Sequence, residues 1–198
     1  MHLFERQPAR VSSFGSLSRI HAGDRPAGAA DRCLDCPVEP SCPYSAPRLY
    51  LGCLGDPSSE FWPLSAVTPG RTEEDVLEAL RTGPYGRCVY ACDNDVVDHQ
   101  EVVMEFGDGA TCSFTMSAFT PMEHRRTRLF GAHGYVDGDG GVPRVVDFRT
   151  GAEELAAVAT GDATLLRSDA AESLMTHRVV WAAEQARLTG RVVTLQGS

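Results

Sequence analysis

From Gly86 to Phe148 the chain reads as a run of antiparallel strands almost without interruption, and this stretch constrains the fold more than any other. Ala110, Cys112, Phe114, Met116 and Ala118 are small or apolar, while Thr111, Ser113, Thr115 and Ser117 between them are hydroxylated. Strict period-2 alternation puts one row of side chains on a core and the other on a wetter face. Ahead of it, residues 99–106 run into Gly107-Asp108-Gly109, a hairpin signal that needs the positive φ glycine adopts at little cost. After it come Arg126–Phe130, a turn over Gly131–Gly134, Tyr135-Val136, a second turn over Gly138–Gly141, and Val145–Phe148. These glycines join antiparallel strands. A dinucleotide fingerprint needs G-x-G-x-x-G between a parallel strand and a helix, so Gly138–Gly141 is not one.

The rest of the chain supplies helices for this sheet. Arg10–Leu17 reads as a first strand. Thr72, the acidic turn Glu73-Glu74-Asp75, the apolar set Val76, Leu77 and Leu80, and Gly83 predict a short capped helix. Ala152–Thr160 predicts another. Asp169 with Glu172 has capping-box spacing and opens the last helix, whose stripe of Ala171, Leu174, Met175, Val179, Ala182 and Ala186 stops at Gly190. A stripe of that kind lies across a sheet. The expected fold is α+β: an open-faced, predominantly antiparallel β-sheet with helices packed on one face. Residues 23–70, rich in Gly, Pro and Cys without a sustained period, read as a long ordered excursion rather than regular structure.

A length of 198 residues is enough for one domain with a real core, and the net charge of -9 excludes nucleic-acid and anionic-membrane surfaces as expected partners. No apolar run approaches the ~20 residues a membrane helix needs, and Met1–Arg6 has no signal-peptide plan. Seven cysteines, scattered and odd in number, point to a reducing cytoplasm. All 18 basic residues are arginine, which removes any mechanism that needs an amine as proton donor, Schiff base or phosphate-loop cation.

Three groups carry candidate chemistry. Cys33-x2-Cys36-x5-Cys42 places three thiols in a proline-stiffened loop, a set able to wrap a tetrahedral ion such as zinc. A fourth ligand at the usual spacing is missing; Cys53 and His21 are the nearest candidates, and the competing reading is a set of small packing residues. Asp93, Asp95, Asp98 and His99 form an acid-rich turn. Asp98 and His99 are the pair to hydrogen-bond sugar hydroxyls or shuttle a proton, set against an ordinary solvated loop. His124, Arg125, Arg126 and Arg128 form a basic cluster suited to a carboxylate or phosphate, or simply a solvated face. Cys88, Cys92 and Cys112 fall in strand-like patterns and read as small core residues.

Taken in order, Tyr90–Gln100, the Glu105–Gly109 hairpin, Arg126–Gly134, Ser168–Leu174 and His177–Leu195 resemble the C-terminal domain of the Gfo/Idh/MocA oxidoreductases, the glucose–fructose oxidoreductase and inositol dehydrogenase group. The resemblance makes residues 1–10 the tail of an entering helix and residues 11–198 the substrate-side and oligomerisation domain, with the cysteine excursion inserted at 23–70. It implies an NAD(P)-dependent enzyme acting on a sugar, cyclitol or similar polyol. It also implies assembly through the open sheet face and a Rossmann-domain partner for the cofactor. The family's Rossmann domain, its Glu-Lys-Pro lysine and its catalytic histidine have no counterpart in this sequence, and His2 lies too near the end to match. The resemblance therefore implies a fragment or split subunit that binds neither NAD nor NADP alone. Two other classes stand beside it: a non-enzymatic binding or assembly module, and a small metal-stabilised structural protein built around Cys33, Cys36 and Cys42.

Overall fold

Alternation becomes sheet where the sequence says it most plainly. The computed structural model describes residues 6–121, 125–139, 143–155 and 170–195. In chain order it runs β1 (Arg10–Ser16), α1 (Ala46–Leu51), α2 (Pro57–Ser59), α3 (Ser65–Val67), α4 (Glu73–Thr82), β2 (His99–Glu105), β3 (Thr111–Ser117), β4 (Thr127–Phe130), β5 (Gly134–Gly138), β6 (Arg144–Asp147), β7 (Glu153–Leu155), α5 (Ala170–Thr189) and β8 (Val193–Thr194). The fold is α+β with antiparallel sheets. The chain divides into two compact units, residues 1–14 with 100–198, and residues 15–99.

In the first unit, strands order as β3-β2-β1-β8 in one four-stranded sheet and β4-β5-β6-β7 in another. The expected single run of strands is thus two sheets. Phe106 and Ala110 close the β2–β3 hairpin, the Phe106 N–H donating to the Ala110 carbonyl at 2.9 Å, with Gly109 at φ 85°. Helix α5 covers one face of the first sheet: Val179, Ala182 and Ala183 pack with Val11 and Val102, and Met104, Val193 and Leu195 border them. Each side chain of Val or Leu size buried this way contributes about 1.5–3 kcal/mol. No β3 side chain belongs to that core, so Phe114 on the sheet edge stays 51% exposed although its alternation is inward. Leu174, at the far end of the predicted stripe, is likewise exposed.

The second sheet is a meander in which Leu129, Val136 and Val145 stand opposite one another in register on one face. The helix expected over Ala152–Thr160 begins instead as β7. Gly151 at φ 69° lets the chain turn back on Asp147, and Glu153 then reaches Arg144 on β6 in a two-bonded ion pair of 2.6 and 3.0 Å. Residues 156–160 and the Asp169 end of the predicted capping box lie outside the described residues.

The second unit, residues 15–99, contains the excursion, and it is more regular than its composition predicts. Ala46, Cys53, Leu64, Val76 and Leu80 form its core. Helix α4 is the capped helix the sequence announces: the Thr72 hydroxyl accepts from the Asp75 N–H, and the Asp75 carboxylate accepts from the Thr72 N–H. Its C-terminal carbonyls are met by Arg32, whose Nη2 donates to Leu80 at 2.6 Å and Gly83 at 2.5 Å. The run of strands expected from Gly86 does not begin there: the chain forms 3₁₀ turns at Pro84–Gly86 and Val89–Ala91, followed by a loop. Pro84 and Gly86 break the alternation there, and Tyr90 turns inward to meet Tyr44 edge-on at 5.9 Å.

Candidate functional site

Asp98 is a buried carboxylate that accepts five hydrogen bonds. The chain leaves β1 at Ser16, whose carbonyl accepts the Asp98 N–H at 3.0 Å, and the next residues wrap the Asp98 carboxylate. Its Oδ2 accepts from the backbone N–H of Ser18 (2.8 Å), Arg19 (2.7 Å) and Ile20 (3.2 Å). Its Oδ1 accepts from the Ser18 hydroxyl (3.1 Å) and from His99 Nδ1 (2.8 Å). Burial on its own would raise the carboxyl pKa. The His99 hydrogen bond and the three amides outweigh it and hold the group well below the usual carboxylate range. Both oxygens are occupied by internal donors, so Asp98 acts on the loop and on His99 rather than on a ligand directly.

His99 is the outward half of the pair. Its side chain is 45% exposed while that of Asp98 is 1% exposed. With Nδ1–H donating to Asp98, the neutral ring carries an acceptor at Nε2, an orientation assigned from the hydrogen-bond network. A buried carboxylate that fixes the tautomer of an exposed imidazole is an arrangement that takes a hydroxyl proton or holds a hydroxyl group.

The other predicted polar residues are less organised. Arg125 and Arg126 are exposed, and Arg128 faces Asp137 across β4–β5 at 3.7 Å. His124 lies outside the described residues. Asp93 is exposed and pairs with Arg87 at 3.2 Å.

The cysteines converge further than their spacing predicts. All seven are free thiols. Cys33 opens one 3₁₀ turn and Cys36 closes it; Cys42 closes a second, Glu39–Ser41; Cys88 precedes a third, Val89–Ala91. Together these four line one small apolar pocket of about 20 Å³, with Tyr44 and Tyr90 among its walls. Burial pushes the Cys33 thiol pKa up, against a hydrogen bond from the Ala46 backbone, and negative charge on Cys88, Cys42 or Cys36 would push it further. Among the described residues no three Cys, His, Asp or Glu side chains are gathered as a ready site for a single ion.

Neither expected fourth ligand faces this pocket. Cys53 belongs to the hydrophobic core and donates its thiol to the Leu49 carbonyl at 3.3 Å. His21 uses Nδ1 to accept from Gly23 at 3.0 Å and Nε2 to reach the Ser18 carbonyl at 3.3 Å. Cys88 lines the pocket instead. It is brought in by the Arg32↔Arg87 bridge and by its own N–H donating to the Asp31 carbonyl at 2.8 Å. Local spacing carries no signal for it, because the pairing that delivers it spans more than fifty residues.

A scan of protein-family models finds no match to this chain, and a comparison with curated proteins finds none either.

Proposed function

We propose that this chain is the substrate-side and assembly domain of an NAD(P)-dependent oxidoreductase acting on a sugar, cyclitol or similar polyol, working in a reducing cytoplasm with the dinucleotide held elsewhere. The observation that carries the reading is the antiparallel sheet backed by α5 on one face, with exposed side chains on the other. That face holds the hydroxyls of Thr111, Ser113 and Thr115, the ion pair between Arg10 and Glu105, a Thr115–Glu101 hydrogen bond of 2.8 Å, and the exposed apolar residues Phe14 and Val103. Polar groups interleaved with apolar anchors suit a partner that docks by both hydrogen bonds and burial. His99, oriented by Asp98, is the group that the unit of residues 15–99 offers to a substrate hydroxyl.

The dinucleotide is read as held elsewhere because the hairpin glycines Gly109, Gly131 and Gly134 join antiparallel strands rather than a parallel strand and a helix. Seven free thiols agree with a reducing compartment, and among the described residues no helix is long and apolar enough to cross a membrane.

Trp62 and Trp181 are 63% and 80% exposed and serve as fluorescence reporters for ligand binding. Titration of the purified chain with NADH or NADPH is expected to give no saturable quenching at micromolar levels, and the chain alone is expected to oxidise no polyol. Saturable quenching would overturn the reading. The same titration with a dinucleotide-binding domain mixed in is expected to restore polyol oxidation, and His99→Gln is expected to depress it.

A further inference from the structure

Four cysteines lining one apolar pocket are more than packing requires. Small buried thiols scatter through a core as single residues, as Cys53 does among Ala46, Leu64, Val76 and Leu80. Cys33, Cys36, Cys42 and Cys88 instead share one space, and each stands at the edge of a 3₁₀ turn that lifts it out of any helix or strand. No disulfide uses them. From these observations we propose that Cys33, Cys36, Cys42 and Cys88 are the four thiolate ligands of one thiophilic metal centre, with Cys88 the ligand that closes the set. This site stands independently of the oxidoreductase reading.

Ligand chemistry and number both fit. Four cysteines are the donor set of structural Zn²⁺ and of iron–sulfur clusters, and soft thiolates select those occupants over hard cations. The Ala46 backbone N–H already donates toward Cys33, the outer-shell bond that orients a metal-bound sulfur. The walls around the thiols are apolar, which excludes water and favours metal–sulfur bonds over solvation of the separate charges. On ligation each thiol gives its proton to solvent, so the centre forms as four thiolates with four protons released. The thiols ring the pocket rather than meet at one point. A cluster interposes its own irons and sulfides between them, whereas Zn²⁺, with bonds of about 2.3 Å, would draw them inward.

The architecture also gives such a centre a purpose. Residues 31–45 contain no helix or strand longer than a 3₁₀ turn, and they meet residues 86–91 through the Arg32↔Arg87 bridge and the Tyr44–Tyr90 ring contact. A metal held by both segments converts binding free energy into order for the excursion.

The test begins with the full chain, expressed and purified without oxygen and assayed for zinc, iron and acid-labile sulfide. Stoichiometric zinc without sulfide supports the proposal with an ion as occupant. Iron with equimolar sulfide and a broad visible absorption supports it with a cluster. Differential alkylation before and after metal removal is then expected to release four thiols that map to Cys33, Cys36, Cys42 and Cys88. Cys88→Ser is expected to lower metal occupancy by at least about tenfold, while Cys53→Ser, which removes an equally buried thiol outside the pocket, leaves it unchanged. Metal below about a tenth of stoichiometric, with no uptake on reconstitution with Zn²⁺ or with Fe²⁺ and sulfide, overturns the proposal. So does a released set that omits Cys88.

Discussion

Asp98→Ala is expected to destabilise the unit of residues 15–99 by on the order of 2 kcal/mol, because it leaves the half-buried amides around Ser18, Arg19 and Ile20 without their acceptor. Hydrogen exchange at those three amides is the direct readout: they are expected to be protected in the native chain and to lose protection in the variant before the α4 amides do. Protection that survives the substitution would show that the carboxylate is not their acceptor. The pH dependence has a definite sign. The folded carboxyl titrates below its unfolded value, which is about 3.9. Its contribution is therefore fully present above that value and is lost as pH falls through the lower, folded one. Asp98→Asn is expected to remove this component of the acid limb of the stability curve. Unchanged acid sensitivity in that variant would mean that other carboxylates set it.

Gly86→Ala is expected to cost about 3 kcal/mol, as an atom forced into packed backbone does. A Cβ on Gly86 would stand 1.7 Å from the Leu80 carbonyl oxygen and 3.0 Å from Arg32 Nη2. The clash falls on the C-terminus of α4, where Arg32 donates to Leu80 and Gly83, so relief requires moving either the helix end or the Pro84–Gly86 turn. Cys88 follows two residues later. The variant is expected to lower the urea midpoint, and with it the occupancy of the metal centre proposed at the four-cysteine pocket. Gly109→Ala is a contrasting control: its Cβ meets nothing within 4 Å, so the strain comes from φ alone. A midpoint for Gly86→Ala equal to that of Gly109→Ala would show that the turn yields without resistance.

These two residues mark where the sequence could and could not be read. Alternation in residues 99–117 located β2 and β3, cap, stripe and stop located α4, and stripe and stop located α5, because each of those signals is local. The same alternation assigned Phe114 to a core face but could not show that β3 is the sheet edge, beyond the reach of α5. Residues 84–98 carry strand-like apolar residues, yet Gly86 has to fit beneath Leu80, and that demand is set by a helix earlier in the chain. Glu153 reads as the first turn of a helix until the Gly151 turn returns it to Arg144. In the cysteine excursion, three thiols were legible from their spacing, and Cys88 was not, because only the Arg32↔Arg87 bridge places it beside them. The Asp98–His99 pair was legible as adjacent polar residues. Its inside-out division, one side chain buried and one exposed, follows from how residues 18–20 wrap the carboxylate.

The exposed face of the β3-β2-β1-β8 sheet is proposed as an assembly surface, and sedimentation of the purified 21.4 kDa chain over a wide concentration range tests that proposal. Phe14 and Val103 are 69% and 52% exposed on that face, and a second copy is the partner that self-complementary faces most often find. The expected result is a dimer or larger species at micromolar concentration, which Val103→Glu returns to monomer by placing a charge at the centre of the contact. A single 21.4 kDa species at every concentration, unchanged by Val103→Glu, would contradict it.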